Sequence, residues 1–197
     1  MKLYNDDCLK VMKDIPDKSI DLVITDPPYE YRITKGGGFM TNENKKSLEE
    51  LRIKSLDKGF NPQILKELVR VMKKINIYIW ASKDQIPMLI KYFVEEIGCA
   101  FDILCWNKTN AMPLFNNKYL TDKEYCLYFR KGGYCQPISY ECAKTIFNLS
   151  INYKDKKMYG HPTIKPLSII KTMIQNSSKE NDIVLDCFMG SGTTGVA

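Results

Sequence analysis

Four consecutive residues, Asp26-Pro27-Pro28-Tyr29, close the apolar run Ile20-Asp21-Leu22-Val23-Ile24-Thr25. A buried parallel strand is a short β-branched run bounded by turn residues, and two prolines stop this one abruptly. An acid and an aromatic ring are thereby left at the carboxyl end of a strand, where open α/β sheets bind ligands. The Asp26 carboxylate and the Pro27 carbonyl are acceptors only, and proline's fixed φ makes the pair rigid. Such a pair suits the exocyclic amine of adenine or cytosine, a poor nucleophile because its lone pair is delocalised into the ring. Both N–H bonds must be drawn into acceptors before that nitrogen attacks, and acceptors aimed in advance do not reorganise in the transition state. Tyr29 adds a flat face. Stacking a base on an aromatic side chain is worth about 1–3 kcal/mol, support that a base turned out of its duplex needs.

Two further stretches carry binding chemistry. In His161-Pro162-Thr163-Ile164-Lys165-Pro166-Leu167 a proline opens a helix whose apolar positions are Ile169, Ile170, Met173 and Ile174. Thr163 and Lys165 just before it suit a carboxylate, one by its hydroxyl and the other by its charge. In Asp182-Ile183-Val184-Leu185-Asp186-Cys187-Phe188-Met189-Gly190-Ser191-Gly192-Thr193-Thr194-Gly195 a strand runs into a glycine turn and a helix start, which is how nucleotide-type cofactors are held. It is neither the three-glycine dinucleotide pattern nor a P-loop, since no Gly-Lys-Thr or Gly-Lys-Ser follows.

Taken together, these strings resemble the amino-methyltransferases that move a methyl group from S-adenosylmethionine to N6 of adenine or N4 of cytosine in DNA. Asp26-Pro27-Pro28-Tyr29 is similar to their motif IV, His-Pro-Thr-x-Lys-Pro to motif X and the glycine turn to motif I. Their order along the chain resembles the circularly permuted β-class. Glutamine methyltransferases of release factors and amino-methyltransferases of ribosomal RNA place the glycine turn first, and the former carry Asn-Pro-Pro-Tyr. The resemblance implies catalytic roles for Asp26, Pro27, Pro28 and Tyr29. It implies a cofactor site made by Asp7, Thr163, Lys165, Asp186, Cys187, Phe188, Gly190, Ser191, Gly192 and Thr193, with Thr163 and Lys165 at the methionine end, Asp7 at the adenosine end and His161 positional. Asp7 is equally placed to cap a helix. No metal is implied. Aspartate at position 26 favours adenine, because cytosine-N4 members usually carry serine there. The implied reaction is direct displacement by the amine of a flipped base, with no covalent enzyme intermediate. Cytosine-N4 methylation, or a catalytically incomplete DNA-binding fragment, are the alternatives.

The elements that must position these residues follow from periodicity. Residues 2–5 allow a short strand, and Asp6 or Asp7 then starts a helix burying Leu9, Val11, Met12 and Ile15. From 30 to 59 no pattern persists, and a mobile loop is expected after the catalytic strand. Asn61-Pro62 opens a helix with Ile64, Leu65, Leu68, Val69 and Met72 on one side. Ile75 to Ala81 reads as a central strand, and Ser82 to Ile97 as a helix ended by Gly98. Phe101–Trp106 and Glu124–Arg130 are strands with no helix between them and should pair antiparallel. The segment from Trp106 to Pro113, with Lys118, is expected to face the site. In 132–160, Tyr134, Tyr140 and Tyr153 interleave with Lys154, Lys156 and Lys157 as a small DNA-contact segment. The expected fold class is α/β, a Rossmann-like methyltransferase fold with a mostly parallel sheet and an antiparallel edge pair, in a single domain over 1–197.

Composition agrees with that class: 197 residues, 44% hydrophobic and 26% charged, describe a globular domain. A net charge of +6 leans towards a polyanionic partner, here double-stranded DNA. Seven cysteines without a Cys-x-x-Cys pair, and one histidine, point to reduced thiols and a cytoplasmic protein. No signal peptide or membrane span is expected. The resemblance leaves open a homodimer and a cognate restriction endonuclease in the same system. The acid that grips ribose hydroxyls about 20 residues past a glycine strand is expected beyond Ala197. A truncated enzyme, a piece supplied by a partner chain and a defective remnant are the readings of that ending.

Overall fold

The computed structural model describes residues 1–29, 59–113, 117, 119–160 and 163–197. The loop expected over 30–59 lies outside the described residues except for Gly59, as do Lys118, His161 and Pro162.

Among the described residues six strands form one sheet in the order β5-β3-β4-β2-β1-β6. They are β1 (Leu22–Thr25), β2 (Ile75–Ala81), β3 (Ala100–Lys108), β4 (Lys123–Lys131), β5 (Ile146–Leu149) and β6 (Val184–Leu185). β1 pairs parallel with both β2 and β6, and β3 parallel with β5. β4 runs antiparallel to its two neighbours, β2 and β3, and so against the rest of the sheet. Its first residues therefore arrive at the end of the sheet where the other strands finish.

Among the described residues the α-helices are α1 (Cys8–Lys13), α2 (Gln63–Val71), α3 (Ile86–Ile90), α4 (Tyr153–Tyr159), α5 (Leu167–Ser177) and α6 (Thr193–Val196). Asp7 caps α1, accepting from the Leu9 and Lys10 N–H groups. The Asn61 side chain accepts from the Gln63 N–H at the start of α2. The expected helix over 82–97 is shorter: its first residues form a turn, and α3 continues as a π-helical stretch, Lys91–Glu96, that stops at Gly98 with φ +79°.

Side chains alternate across a strand, so the sheet sorts its residues by parity. Val23, Ile77, Ile79, Leu127 and Phe129 face α1, α2 and α3, against Met12, Leu65, Leu68, Leu89 and Phe93. Leu22, Ile24, Tyr78, Trp80, Trp106, Cys126 and Tyr128 face α5, against Ile169, Ile170 and Met173. The second face also holds a polar knot. Tyr78 and Tyr128 stack at 4.1 Å, the Tyr128 hydroxyl donates to Asn76 Oδ1, and Asn76 Nδ2 donates to the Ser177 carbonyl at the end of α5. Every one of these polar groups is buried, so each hydrogen bond replaces one lost to water.

Two expectations are corrected. Residues 2–5 form no strand; Leu3 and Tyr4 are exposed, and β6 has β1 as its one described neighbour. The antiparallel pair is not the edge, because β5 adds a parallel strand outside β3. Residues 132–160 also supply β5 and α4, and three of their tyrosines lie under lysines of this chain: Tyr134 under Lys179, Tyr140 under Lys144 and Tyr153 under Lys156.

Phe93 is fully buried and stacks on Phe129 with ring centroids 4.5 Å apart. Phe93→Ala should cost about 3–5 kcal/mol, read as a lowered urea midpoint at unchanged slope.

Candidate active site

At the carboxyl end of the parallel strands, on the α5 face, lies a cavity of about 280 Å³. Parity explains its lining. Asp26 continues the alternation of Leu22 and Ile24, and Trp80 that of Tyr78, so both arrive on this face. Pro27, Pro28 and Tyr29 follow along one wall, and Asp186, Phe188, Gly190, Ser191 and Thr193 form another. Thr163 and Lys165 enter from the segment before α5. The chain thus brings together Asp26 to Tyr29, most of the glycine turn and the Thr163–Lys165 string, from three distant parts of the sequence.

The turn after β1 is braced from both sides. Gln85 is 4% exposed; its Nε2 donates to the Pro28 carbonyl at 2.9 Å, and its Oε1 accepts from the Ser82 N–H. Thr25 Oγ1 lies 3.3 Å from Cys187 Sγ, tying the end of β1 to the strand-to-glycine turn. Asp186 Oδ1 accepts the Phe188 N–H at 3.0 Å, and burial pushes the Asp186 carboxyl above its usual range.

Lys165 is the electrostatic centre. It is 5% exposed, and its Nζ lies 2.5 Å from Asp26 Oδ2 and 3.2 Å from Glu124 Oε2. The ammonium also sits over the rings of Trp80 and Tyr29, at 5.0 and 5.4 Å from their centroids. Burial alone would lower its pKa; the two carboxylates overcome that and hold it well above the ordinary lysine range. Burial pushes the Asp26 carboxyl up, and the Lys165 ammonium opposes the rise. For Glu124 the balance falls the other way: burial is overcome by Lys165 and Lys108, and its carboxyl is held down near 2. Asp26 Oδ1, the second oxygen of that carboxylate, is buried and has no hydrogen-bond partner among the described residues.

The other expected site residues stand in the following surroundings. Lys165, implied as partner of a ligand's carboxylate, gives its ammonium to two carboxylates of the chain itself, because a buried cation demands such partners. Asp7 caps α1 and is not among the residues lining the cavity. Cys187 lies behind the lining, on Thr25, and Gly192 shapes the turn with φ +82°. The stretch expected to face the site is instead tied to β5 and the residues after it. Trp106 Nε1 donates to the Leu149 carbonyl, Asn107 bonds Asn148, and Asn110 Oδ1 accepts the Ile151 N–H. Among the described residues of that stretch Lys108 turns back, pairing with Glu124 at 2.6 Å.

Glu124, Trp80 and Gln85 were not legible as site residues. Their signal is positional: once β4 is set antiparallel, its first residues must meet the last residues of β1, β2 and β3.

A family model described as DNA methylase, of the N6/N4 methyltransferase kind, matches residues 20–197. Type II methyltransferase M2.LlaDCHI of Lactococcus lactis subsp. cremoris is 31% identical over 98% of this chain and 78% of its own length. The crystal structure of the M1.HpyAVI–SAM complex superposes with a TM-score of 0.60 at 27% identity, covering 98% of this chain and 85% of that one. PvuII DNA methyltransferase, which is cytosine-N4-specific, superposes with a TM-score of 0.70 at 18% identity over 98% and 76% of the two chains, a likeness of fold.

Asp7→Ala should remove a helix cap and cost about 1 kcal/mol of stability. Calorimetric titration should show S-adenosylmethionine affinity within about twofold of the parent; a tenfold loss would make Asp7 a ligand.

Proposed function

The chain belongs to the DNA methylase family of N6 and N4 amino-methyltransferases, and from that premise we propose that it methylates N6 of adenine in double-stranded DNA with S-adenosylmethionine as cofactor. The observation that carries the proposal is Asp26 Oδ1, a buried acceptor without a hydrogen-bond partner among the described residues, on a residue that lines a cavity beside a rigid Pro-Pro turn. An orphaned buried oxygen costs about 1–3 kcal/mol, and a substrate N–H is what would remove that cost.

The residues present fit the cofactor. The turn between Gly190 and Thr193 leaves open space where a Cβ on Gly192 would stand, so the backbone there is bare. The hydroxyls of Thr163, Ser191 and Thr193 and the Asp186 carboxyl line the same cavity. When bound, S-adenosylmethionine supplies a methyl group activated by its sulfonium.

The chain's own part is to receive the amine. Asp26 Oδ1 accepts one N–H and the Pro27 carbonyl, on the same wall, accepts the other. Drawing on both bonds returns lone-pair density to nitrogen. The Gln85 bond to the Pro28 carbonyl keeps the turn from yielding, so the acceptors are set before the base arrives. Tyr29, on the same wall, provides a stacking face while Lys165 lies over its ring. Aspartate at 26 in place of serine supports adenine over cytosine, following the family resemblance.

Incubating the chain with unmethylated DNA and S-adenosylmethionine, then digesting to nucleosides for mass spectrometry, should yield N6-methyladenine. N4-methylcytosine would keep the site and change the base. No methylated nucleoside would leave a DNA-binding member of the family without turnover.

Asp26→Ala should slow transfer by about 10²–10³-fold or more, on the scale of losing one preorganised polar contact to the reacting atoms. Cofactor binding should stay within a few-fold of the parent by calorimetry. Equal loss of both would count against the role given to Asp26.

A further inference from the structure

The buried charges of the site form one series of alternating sign, Asp26–Lys165–Glu124–Lys108, with N to O separations of 2.5, 3.2 and 2.6 Å. The four side chains are 25, 6, 17 and 14% exposed, so none is fully solvated. Two carboxylates and two ammoniums cancel, which is the condition for taking so many charges out of water together. Each member comes from a different place: the end of β1, the segment before α5, the start of β4 and the last residue of β3. Glu124 is the hinge of the series, since it touches both lysines.

A lysine at 2.5 Å with no other partner would commit its charge to Asp26 and leave that carboxylate a weaker acceptor. Among the described residues, Glu124 is the one other carboxylate paired with that ammonium. We propose that Glu124 is a positioning residue acting through Lys165: it shares the ammonium with Asp26, and Lys108 fixes it there, so that Asp26 keeps an acceptor oxygen for the substrate amine. The inference rests on the reading of Asp26 as the amine's acceptor.

The groups facing Asp26 set the signs of the test. They are Lys165, Tyr29 on its own segment, Glu124 and Cys126 on β4, and Asp186 after β6. Lys108 on β3 and Lys156 on α4 face the Glu124 end. Glu124→Gln removes a like charge from beside Asp26 and leaves it the undivided Lys165 ammonium. Both effects favour the carboxylate, so Asp26 should lose its proton at lower pH and yet be a poorer acceptor. Lys108→Met does the opposite: a less restrained Glu124 draws Lys165 harder, and Asp26 should hold its proton to higher pH.

The experiment uses the full chain labelled with ¹³C at the aspartate carboxyl carbons. Asp26 is assigned by the signal lost in Asp26→Asn, and its titration is followed without DNA or cofactor. Single-turnover transfer to unmethylated DNA is measured alongside. The expected result is a titration moved to lower pH in Glu124→Gln and to higher pH in Lys108→Met, with transfer slowed about tenfold in Glu124→Gln on the scale typical of weakened proton-accepting groups. A titration that stays put or moves upward in Glu124→Gln overturns the inference. If that variant does not fold, Lys108→Met alone decides: an unmoved or lowered titration overturns it. Charge removal alone would give these titration shifts, so transfer separates the roles: Glu124→Gln that shifts the titration and transfers at the parent rate overturns the inference. Titrations that shift as expected, in a chain that transfers no methyl group, would overturn the functional reading and not the linkage.

Discussion

A lysine ammonium taken out of water must find opposite charge within reach, and in this fold Lys165 finds two carboxylates from two strands. Much of the site's arrangement depends on that requirement. It pulls the segment before α5 down onto the sheet, sets the Asp26 side chain, and explains why a glutamate is buried at the start of β4 when its neighbours inward are Cys126 and Tyr128. It also explains a division of labour within one carboxylate: Oδ2 is committed to the protein, and Oδ1 is left without a hydrogen-bond partner among the described residues.

The rest of the molecule supplies rigidity around that pair. The face towards α1, α2 and α3 is almost wholly apolar, with the aromatic stack of Phe93 and Phe129 at its centre. Arg70 closes this side, donating to the Met12 and Ile15 carbonyls and pairing with Glu67 and Asp17, so that α2 and the end of α1 move as one. The opposite face is more polar, and its hydrogen bonds are spent at the end of the sheet away from the cavity, where Asn76, Tyr78 and Tyr128 meet Ser177. Helix α5 is held at that end by the knot, and Lys165, just before its start, is held at the other by the ion series.

How much of this was legible in the sequence depended on whether a feature is local. The β-branched run into Asp26-Pro27-Pro28-Tyr29, the proline opening α5 and the glycine turn after β6 are each written within a dozen residues, and each is where the sequence placed it. The antiparallel relation of β3 and β4 was legible from the missing helix between them. What escaped is what only tertiary packing determines. Glu124 reads as one more charge at a strand start until β4 is laid beside β2, and Lys108 was legible as facing the site but not as the partner of Glu124. Lys165 was legible as a binding cation, but its partner was not, because 139 positions separate it from Asp26. Residues 2–5 misled for the converse reason: a local pattern permits a strand, and no described neighbour offers them a ladder.

The antiparallel course of β4 has one more consequence. Its pairing with β3 places Glu124 opposite Trp106, and its pairing with β2 runs unbroken from Ala81–Tyr125 to Ile75–Lys131. A strand has only two sides, so sliding β4 by a single position would carry Glu124 to the α2 face and bring Lys123 or Tyr125 to the cavity in its place. The same slide would expel Leu127 and Phe129 from the apolar core. Selection on the core and selection on the site therefore fall on one integer, the offset of β4. Insertions and deletions within this strand are barred twice over.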